Sequence, residues 1–129
     1  MDVVLEKVFY KIIILSIIFP LNSFTQEKKI IKILEAGKFT KDEENFPKAN
    51  ILSKGNNLRV KLFHDGATII SDKTFFYSKE NKFKANGRVL LKQGDTLELK
   101  SEYLNYDGNK GRAKAWGKVV LKQPNMTLK

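Results

Sequence analysis

The sequence contains one histidine, the side chain most often used for proton transfer and metal binding near neutral pH. His64 stands directly before Asp65-Gly66, a dipeptide typical of a tight turn. A single histidine at a turn indicates neither a Ser-His-Asp triad nor a histidine-rich zinc site. The sequence also has no cysteine, so thiolate metal sites and disulfides are excluded. We interpret His64 as a residue beside the turn, without a catalytic or metal role.

Asn105-x-Asp107-x-Asn109 has the spacing with which a calcium-binding loop begins. Such a loop needs glycine where this chain has Lys110 and a bidentate glutamate where it has Trp116. Turn formation therefore explains the motif better than metal binding.

The acidic residues Asp95, Glu98 and Glu102 lie among residues with strand character, with no recognisable apolar pocket around them. General acid-base chemistry has no support here. The sequence predicts a protein that is not an enzyme and that carries no metal and no cofactor.

The segment from Phe75 to Lys84, FFYSKENKFK, mixes aromatic and basic residues as single-strand nucleic-acid platforms do. The repeat described below favours core positions for these aromatics. The N-terminal export signal, also described below, argues against nucleic acid as a ligand. Trp116 has the parity of the polar residues around it. It is either an exposed contact for a partner strand or a cover for the edge of the sheet.

Composition limits the class of protein. The 129 residues are 42% hydrophobic and 11% aromatic, typical of one globular domain. Lys and Arg number 24 against 14 Asp and Glu, and the net charge of +10 favours anionic partners without distinguishing nucleic acid from lipid head groups.

The N-terminus has the pattern of a secretory signal. Lys7 and Lys11 precede the apolar run from Ile12 to Leu21, and Ser23 and Thr25 are small residues at the −3 and −1 positions of a cut before Gln26. The run is shorter than the roughly 20 residues that span a bilayer. We predict a helical signal segment over residues 1–25 and export to the periplasm, with an uncleaved membrane anchor and a buried helix as the alternatives.

Residues 26–56 are predicted to form a first strand and an irregular connection. EKKIIKIL, residues 27–34, suits a first strand, and residues 37–57 mix Gly, Pro, Asn and charge without a sustained period. A short strand is predicted at Ala49 to Ser53. A connection of this length is unusual unless it has a function.

From residue 57 onward, alternation with a period of two predicts half-buried strands. A unit of 29 to 30 residues recurs, each with two strands and two turns, and its copies align Val60, Val89 and Val119. The same alignment matches Ile70 with Leu99, Phe75 with Leu104, and Tyr77 with Tyr106, and it places the one-residue difference in period in the turns at 78–82 and 107–109.

The apolar parity changes within the long segments, so a bulge or bend is predicted near Ser101 to Tyr103, and likewise in the preceding copy. Such units must stack to bury their apolar faces. A third unit starts at Gln123-Pro124-Asn125 and stops after Leu128, which predicts a longer reading frame with more copies.

The repeat, carried by GDTLELKSEYLNYDGNKGRAKAWGKVVL and by ATIISDKTFFYSKENKFKANGRVLL, resembles the OstA-like family of organic solvent tolerance proteins. This family includes the LptA-type periplasmic lipopolysaccharide-transport proteins. The resemblance covers residues 57–129, although Leu58 stands in the first copy where later copies have Gly87 and Gly117.

The resemblance implies an all-β fold, an antiparallel β-jellyroll or β-taco, whose apolar groove holds lipopolysaccharide acyl chains. It also implies joining to other jellyroll domains, or to a second copy, by strand addition at the periplasmic face of the outer membrane. Small residues such as Ala85, Gly87, Ala115 and Gly117 either leave space for a chain or pack closely around a filled core. The groove residues that the repeat predicts are Val60, Leu62, Ile70, Phe83, Ala85, Val89, Leu91, Leu97, Leu99, Ala115, Val119 and Leu121.

Two alternatives to lipid carriage keep the same fold. The first is a structural repeat with filled grooves that scaffolds outer-membrane assembly without binding lipid. The second is an inner-membrane-anchored adaptor of the LptC type, in which residues 8–21 stay uncleaved.

Overall fold

The computed structural model describes residues 3–6, 29–124 and 126–128, and these form one curled antiparallel sheet of twelve strands. The predicted all-β class is confirmed. The strands are β1 (Val3–Glu6), β2 (Lys32–Glu35), β3 (Lys38–Thr40), β4 (Asn50–Ser53), β5 (Val60–His64), β6 (Ala67–Ser71), β7 (Lys73–Tyr77), β8 (Lys82–Gln93), β9 (Leu97–Asp107), β10 (Arg112–Trp116), β11 (Val120–Gln123) and β12 (Met126–Leu128). A single 3₁₀ turn in the described residues, Ser78–Glu80, joins β7 to β8.

The sheet has two halves that share the long strands β8 and β9. Wing A contains β1, β10, residues 103–107 of β9, residues 82–86 of β8, and then β7, β4 and β3 in hydrogen-bonded order. Wing B contains β12, β11, residues 97–101 of β9, residues 89–93 of β8, and then β6, β5 and β2. Every other strand belongs to one wing only. The chain bends from one wing to the other within β8 and β9 and between β2 and β3, β4 and β5, β6 and β7, and β10 and β11, and we call these bends corners.

Glycine-centred bulges form two of the corners. Gly87 and Arg88 together oppose the backbone of β9 between Asn86 and Val89, where the register shifts. Gly87 has φ +86° and Gly117, at the next corner, has φ +83°. This region is readily accessible only to glycine. Each glycine carbonyl accepts a hydrogen bond from the strand beside it, from Asp72 N–H at 2.9 Å and from Glu102 N–H at 2.8 Å. The two bulges lie at the same level of the sheet, on either side of Glu102 in β9, and together they fold wing A over wing B.

Asp72 reinforces the first of these corners through its carboxylate. Arg88 donates to it from two nitrogens, at 3.0 and 2.7 Å, and Arg59 Nε donates at 3.1 Å. The Arg88 hydrogen bond, together with the charges of Arg59, Arg88 and Lys54, lowers the pKa of Asp72 below its usual value. Arg59 also donates to the Gly87 and Arg88 carbonyls, so one ion-pair network satisfies the backbone groups that the bulge exposes.

The predicted bend near Ser101 to Tyr103 is present. Burial passes from Leu99 and Ser101 to Leu104 and Tyr106, with the change of parity at Glu102. The short strand predicted at Ala49 to Ser53 is also present as β4, whereas β3, inside the predicted irregular connection, was not foreseen.

The predicted alignment of the first two copies was wrong by one residue over β6 and β7. The loop between β5 and β6 has two residues, 65–66, whereas the loop between β8 and β9 has three, 94–96. The difference in period therefore lies in this turn and not in the turn at 78–82. As a result Ile69 occupies the position of Leu99, and both are buried.

Ile70, which the sequence placed in the groove, consequently lies on the outer face. It is in register with Lys61 and Leu90, and directly paired strand residues share a face. The same shift moves Phe75 and Tyr77 outward and places Thr74 and Phe76 inside. The interpretation of the aromatic segment as core is correct for Phe76 and Phe83 only.

Most of the predicted signal segment falls outside the described residues. Within residues 1–25 the structure describes only β1, which pairs antiparallel with β10 from Val3 opposite Ala115 to Glu6 opposite Arg112. Among the residues that are described, no helix has the length and apolar character needed to cross a membrane.

Candidate functional site

The inner faces of the two wings meet in one apolar cluster. All the predicted groove residues except Ile70 and Leu97 are buried members of it, and Leu97 packs against it while half-buried. The cluster also contains residues that the sequence did not select: Ile31, Leu52, Ala67, Ile69, Phe76, Leu104, Tyr106 and Ala113. Several of these are recovered once the three-residue turn at 94–96 is used to align the copies, because Ile69, Thr74 and Phe76 then match Leu99, Leu104 and Tyr106.

The small residues of the repeat lie in the closed part of this interior. Ala85 and Ala115 are 3% and 0% exposed, and both are in register with Leu104 of β9. Side chains from the facing wing therefore fill the space above them. Close sheet packing is the arrangement adopted here, and an apolar chain enters at this level only if the wings move apart.

The two wings also meet at their ends away from the corners, and we call this side of the interior the mouth. Hydrogen bonds join the wings across it. His64, at the end of β5 in wing B, contacts the hydroxyl of Tyr106 in wing A through Nδ1 at 2.7 Å. Its Nε2 lies 3.2 Å from the Lys29 carbonyl. A carbonyl only accepts, so Nε2 carries a proton, and in the neutral imidazole Nδ1 then accepts the Tyr106 hydroxyl proton.

Tyr106 is suited to this donor role by its surroundings. Burial raises the pKa of its phenol, and the carboxylates of Asp65 and Asp107 raise it further, so the hydroxyl keeps its proton. Its ring stacks on Phe83 with centroids 5.0 Å apart and planes 12° apart. The residue thus has one polar end at the mouth and an aromatic body in the interior.

Residues 29–31 form a strap across the same mouth. Asn81, in the turn that ends wing A, donates to the Lys29 carbonyl at 2.9 Å and accepts from Ile31 N–H, also at 2.9 Å. The Lys29 ammonium lies 2.7 Å from the Asp65 carboxylate at the end of wing B. The strap therefore binds to both wings, through contacts that the sequence did not reveal because they join residues 35 to 52 positions apart.

The interior offers burial and little polar chemistry. Its buried polar residues in the described part of the chain are His64, Ser71, Thr74, Asn81 and Ser101, none of which is a carboxylate or an ammonium. Nor do the described residues bring three His, Asp or Glu side chains together as a metal site requires. Such an interior can hold an apolar chain by keeping it out of water.

A curled antiparallel sheet with a continuous apolar inner face defines a β-jellyroll-type domain. The family model described as OstA-like protein matches residues 28–129, and the chain belongs to this family. The match begins well before the repeats recognised in the sequence, so it includes β2, β3 and β4. No curated protein and no solved structure gave a match to the sequence.

Proposed function

We propose that the protein is an exported lipid-binding module of lipopolysaccharide transport that holds acyl chains between its two wings. The observation that carries the proposal is the apolar cluster that runs through both wings of a member of the OstA-like family. That family is associated with lipopolysaccharide transport. The predicted signal segment supports a periplasmic location.

The energy of burial explains why a carrier needs such an interior. Each methylene kept from water contributes about 0.8 kcal/mol, so an acyl chain of some ten methylenes would lose on the order of 8 kcal/mol by exposure. An acyl chain must also replace the contacts that the wings now make with each other. Wing separation at the mouth breaks a few hydrogen bonds of His64, Tyr106 and the strap, each with a net contribution of about 1 kcal/mol. Lipid burial is large enough to offset that loss.

Photocrosslinking tests this proposal directly. A diazirine side chain of leucine size is placed at Leu91 or Val119, both buried in the cluster, and cells are irradiated. We expect a lipopolysaccharide adduct at both positions, because an acyl chain held between the wings contacts the inner face.

The matched controls are Lys92 and Lys118, the exposed neighbours of those two positions. Ile33 is a third inward position, half-buried at the end of the cluster, where a new side chain disturbs packing less. Circular dichroism of each variant establishes that it folds. Absence of an adduct at all three inward positions of folded protein, or equal labelling of the lysine positions, would falsify the lipid proposal.

We further propose that the sheet joins other jellyroll domains, or a second copy, at its edges. Among the described residues β2 and β3 each pair on one side only, and this edge exposes Leu34 and Phe39. Unpaired strand edges are templates for added strands. The pairing of β1 with β10 indicates that the opposite edge of wing A accepts an antiparallel strand.

Sedimentation velocity of the purified protein over a wide concentration range tests the edge. We expect concentration-dependent association that weakens by about tenfold or more when Leu34 and Phe39 are both replaced by lysine, since edge charges oppose pairing. Leu58→Lys, in an exposed corner loop, is the control and keeps the association of the parent. A purely monomeric parent protein would contradict self-association, while an unaffected double variant would place the contact elsewhere.

A further inference from the structure

The outer face of wing A carries a cleft that the lipid proposal does not use. It has a volume of about 310 Å³ and lies between two aromatic walls, one on the β7 side and one on the β10 side. We call it the outer cleft. The cleft residues that belong to β7, β8, β9 and β10 and form its walls and floor have side chains directed away from the interior, because each alternates along its strand with a buried residue.

The first wall is Phe75 with Phe46 on it, ring centroids 4.5 Å apart. Phe46 belongs to the connection between β3 and β4, within the segment that the sequence predicts to be irregular. The connection is shaped by short-range bonds: Asp42 accepts from Phe46 N–H at 2.8 Å and from the Asn45 amide at 2.9 Å. This connection therefore places an aromatic side chain against Phe75 on the outer face of wing A.

The second wall is the pair Tyr103 and Trp116. The two residues are cross-strand partners on β9 and β10, with rings stacked at 5.5 Å and planes 18° apart. Tyr103 remains 42% exposed despite this stacking. Two large aromatics at the surface of a strand pair add little to the core, so their position indicates a contact with something outside the chain.

The floor between the walls is polar. It consists of Lys84, Asn86 and Asn105. Lys84 is in register with Phe75 on one side and Asn105 on the other, and Asn86 is in register with Tyr103. Both amides line the cleft together with Lys84, and no acidic side chain is among the described residues that line it. The cleft thus offers amide donors and acceptors together with the Lys84 ammonium, and Lys114 lies beside it, in register with Asn105.

This combination fits a pyranose ring better than the other ligands that aromatics attract. The C–H face of a sugar packs on an aromatic ring while its hydroxyl groups hydrogen-bond to amides, and pockets of this size hold small ligands with a few placed polar groups. An acyl chain would bury both amides and the Lys84 ammonium without hydrogen-bond partners, which is unfavourable. An oligonucleotide is disfavoured by the predicted export of the chain.

We propose that the outer cleft binds an anionic glycan, with a sugar ring between the walls and a carboxylate or phosphate substituent at Lys84 and Lys114. Asn86 and Asn105 hydrogen-bond the hydroxyl groups. This site is on the opposite face of the sheet from the acyl-chain interior, so either proposal stands if the other fails.

Trp116 makes the test direct, since it is the only tryptophan of the chain and its fluorescence reports on the cleft. The purified full chain is titrated with a galacturonic acid hexamer, with deacylated phosphorylated lipopolysaccharide saccharide, and with neutral maltohexaose. We expect a saturable change in emission with at least one anionic saccharide and binding on the order of tenfold weaker for the neutral one. The two anionic probes distinguish carboxylate from phosphate recognition.

Variants locate the binding site. Tyr103→Ala is expected to weaken saccharide binding on the order of tenfold, as loss of one stacking ring does, while Tyr103→Phe keeps most of it. Lys84→Gln weakens the anionic probes several-fold and leaves maltohexaose unchanged, whereas Lys92→Gln, on the outer face of wing B, changes neither. Calorimetry repeats each measurement without reliance on fluorescence.

Three results would overturn the proposal. The first is no response to any of the three saccharides. The second is tighter binding of an oligothymidine or a proline-rich peptide than of the best saccharide. The third is equal saccharide affinity in Tyr103→Ala and in the parent protein.

Discussion

Phe83→Ala is expected to lower the free energy of unfolding by about 3 to 5 kcal/mol, the usual loss for a fully buried phenylalanine. Phe83 is 1% exposed and lies at the centre of wing A, in register with Phe76 on one side and Tyr106 on the other. Its removal takes away apolar burial and leaves a cavity beneath the stacked Tyr106 ring. The interior can relax only partly, because strands on both sides fix the backbone.

Urea denaturation followed by circular dichroism measures this loss as a lower midpoint at an unchanged slope. Phe39→Ala is the matched control: the same substitution at a residue that is 63% exposed should change stability by no more than about 0.5 kcal/mol. A loss at Phe83 no larger than that at Phe39 would mean that the inner face is not packed as described. A changed slope would indicate a more compact or expanded unfolded state instead.

The period of the strands was predictable because it is local. Alternation of apolar and polar residues placed Phe83, Ala85, Leu91 and Leu99 on one face, and the structure agrees. Ile70 was placed wrongly because the turn at 94–96 has one residue more than the turn at 65–66. Since side chains alternate between the two faces of a strand, a shift of one residue in the alignment assigns every residue after the turn to the wrong face. Turn length must therefore be settled before faces are assigned.

The mouth of the interior could not be predicted by the same means. The contact of His64 with Tyr106 joins residues 42 positions apart on β5 and β9, two strands that are not hydrogen-bonded neighbours. A period of two predicts which face a side chain occupies but not which residue of the other wing it meets. His64 was correctly located beside a turn, and its partner depended on how sharply the sheet bends.

The two proposals place their ligands on opposite faces of wing A. Inward residues such as Ala85 and Leu104 are packed against wing B, whereas Phe75, Tyr103 and Trp116 lie on the outer face. The proposed acyl-chain interior and the proposed sugar site therefore use alternate residues of the same strands. The sequence recorded this division in Trp116, whose parity was polar although its side chain is aromatic.

Gly87→Ala is expected to destabilise the fold by about 2 to 4 kcal/mol, because the new methyl group meets both conformational strain and a clash. Gly87 has φ +86°, and a Cβ there would lie 2.7 Å from Cβ of Asp72 and 2.9 Å from its Oδ2. The Asp72 Cβ cannot move away alone, since the carboxylate is held by Arg59 and Arg88. The corner must open, which also strains the hydrogen bond from Asp72 N–H to the Gly87 carbonyl.

Gly94→Ala separates the two causes. Gly94 also has a positive φ, +53°, but beyond its chain neighbours no atom lies within 4 Å of the place that a Cβ would take. This variant should lose only the cost of the left-handed conformation, about 1 to 2 kcal/mol. Thermal melts of both variants give the comparison, and equal losses would show that the corner tolerates a methyl group. If Gly87→Ala melts clearly below Gly94→Ala, the bend between the wings requires a residue without a side chain at position 87, and the closed interior depends on that bend.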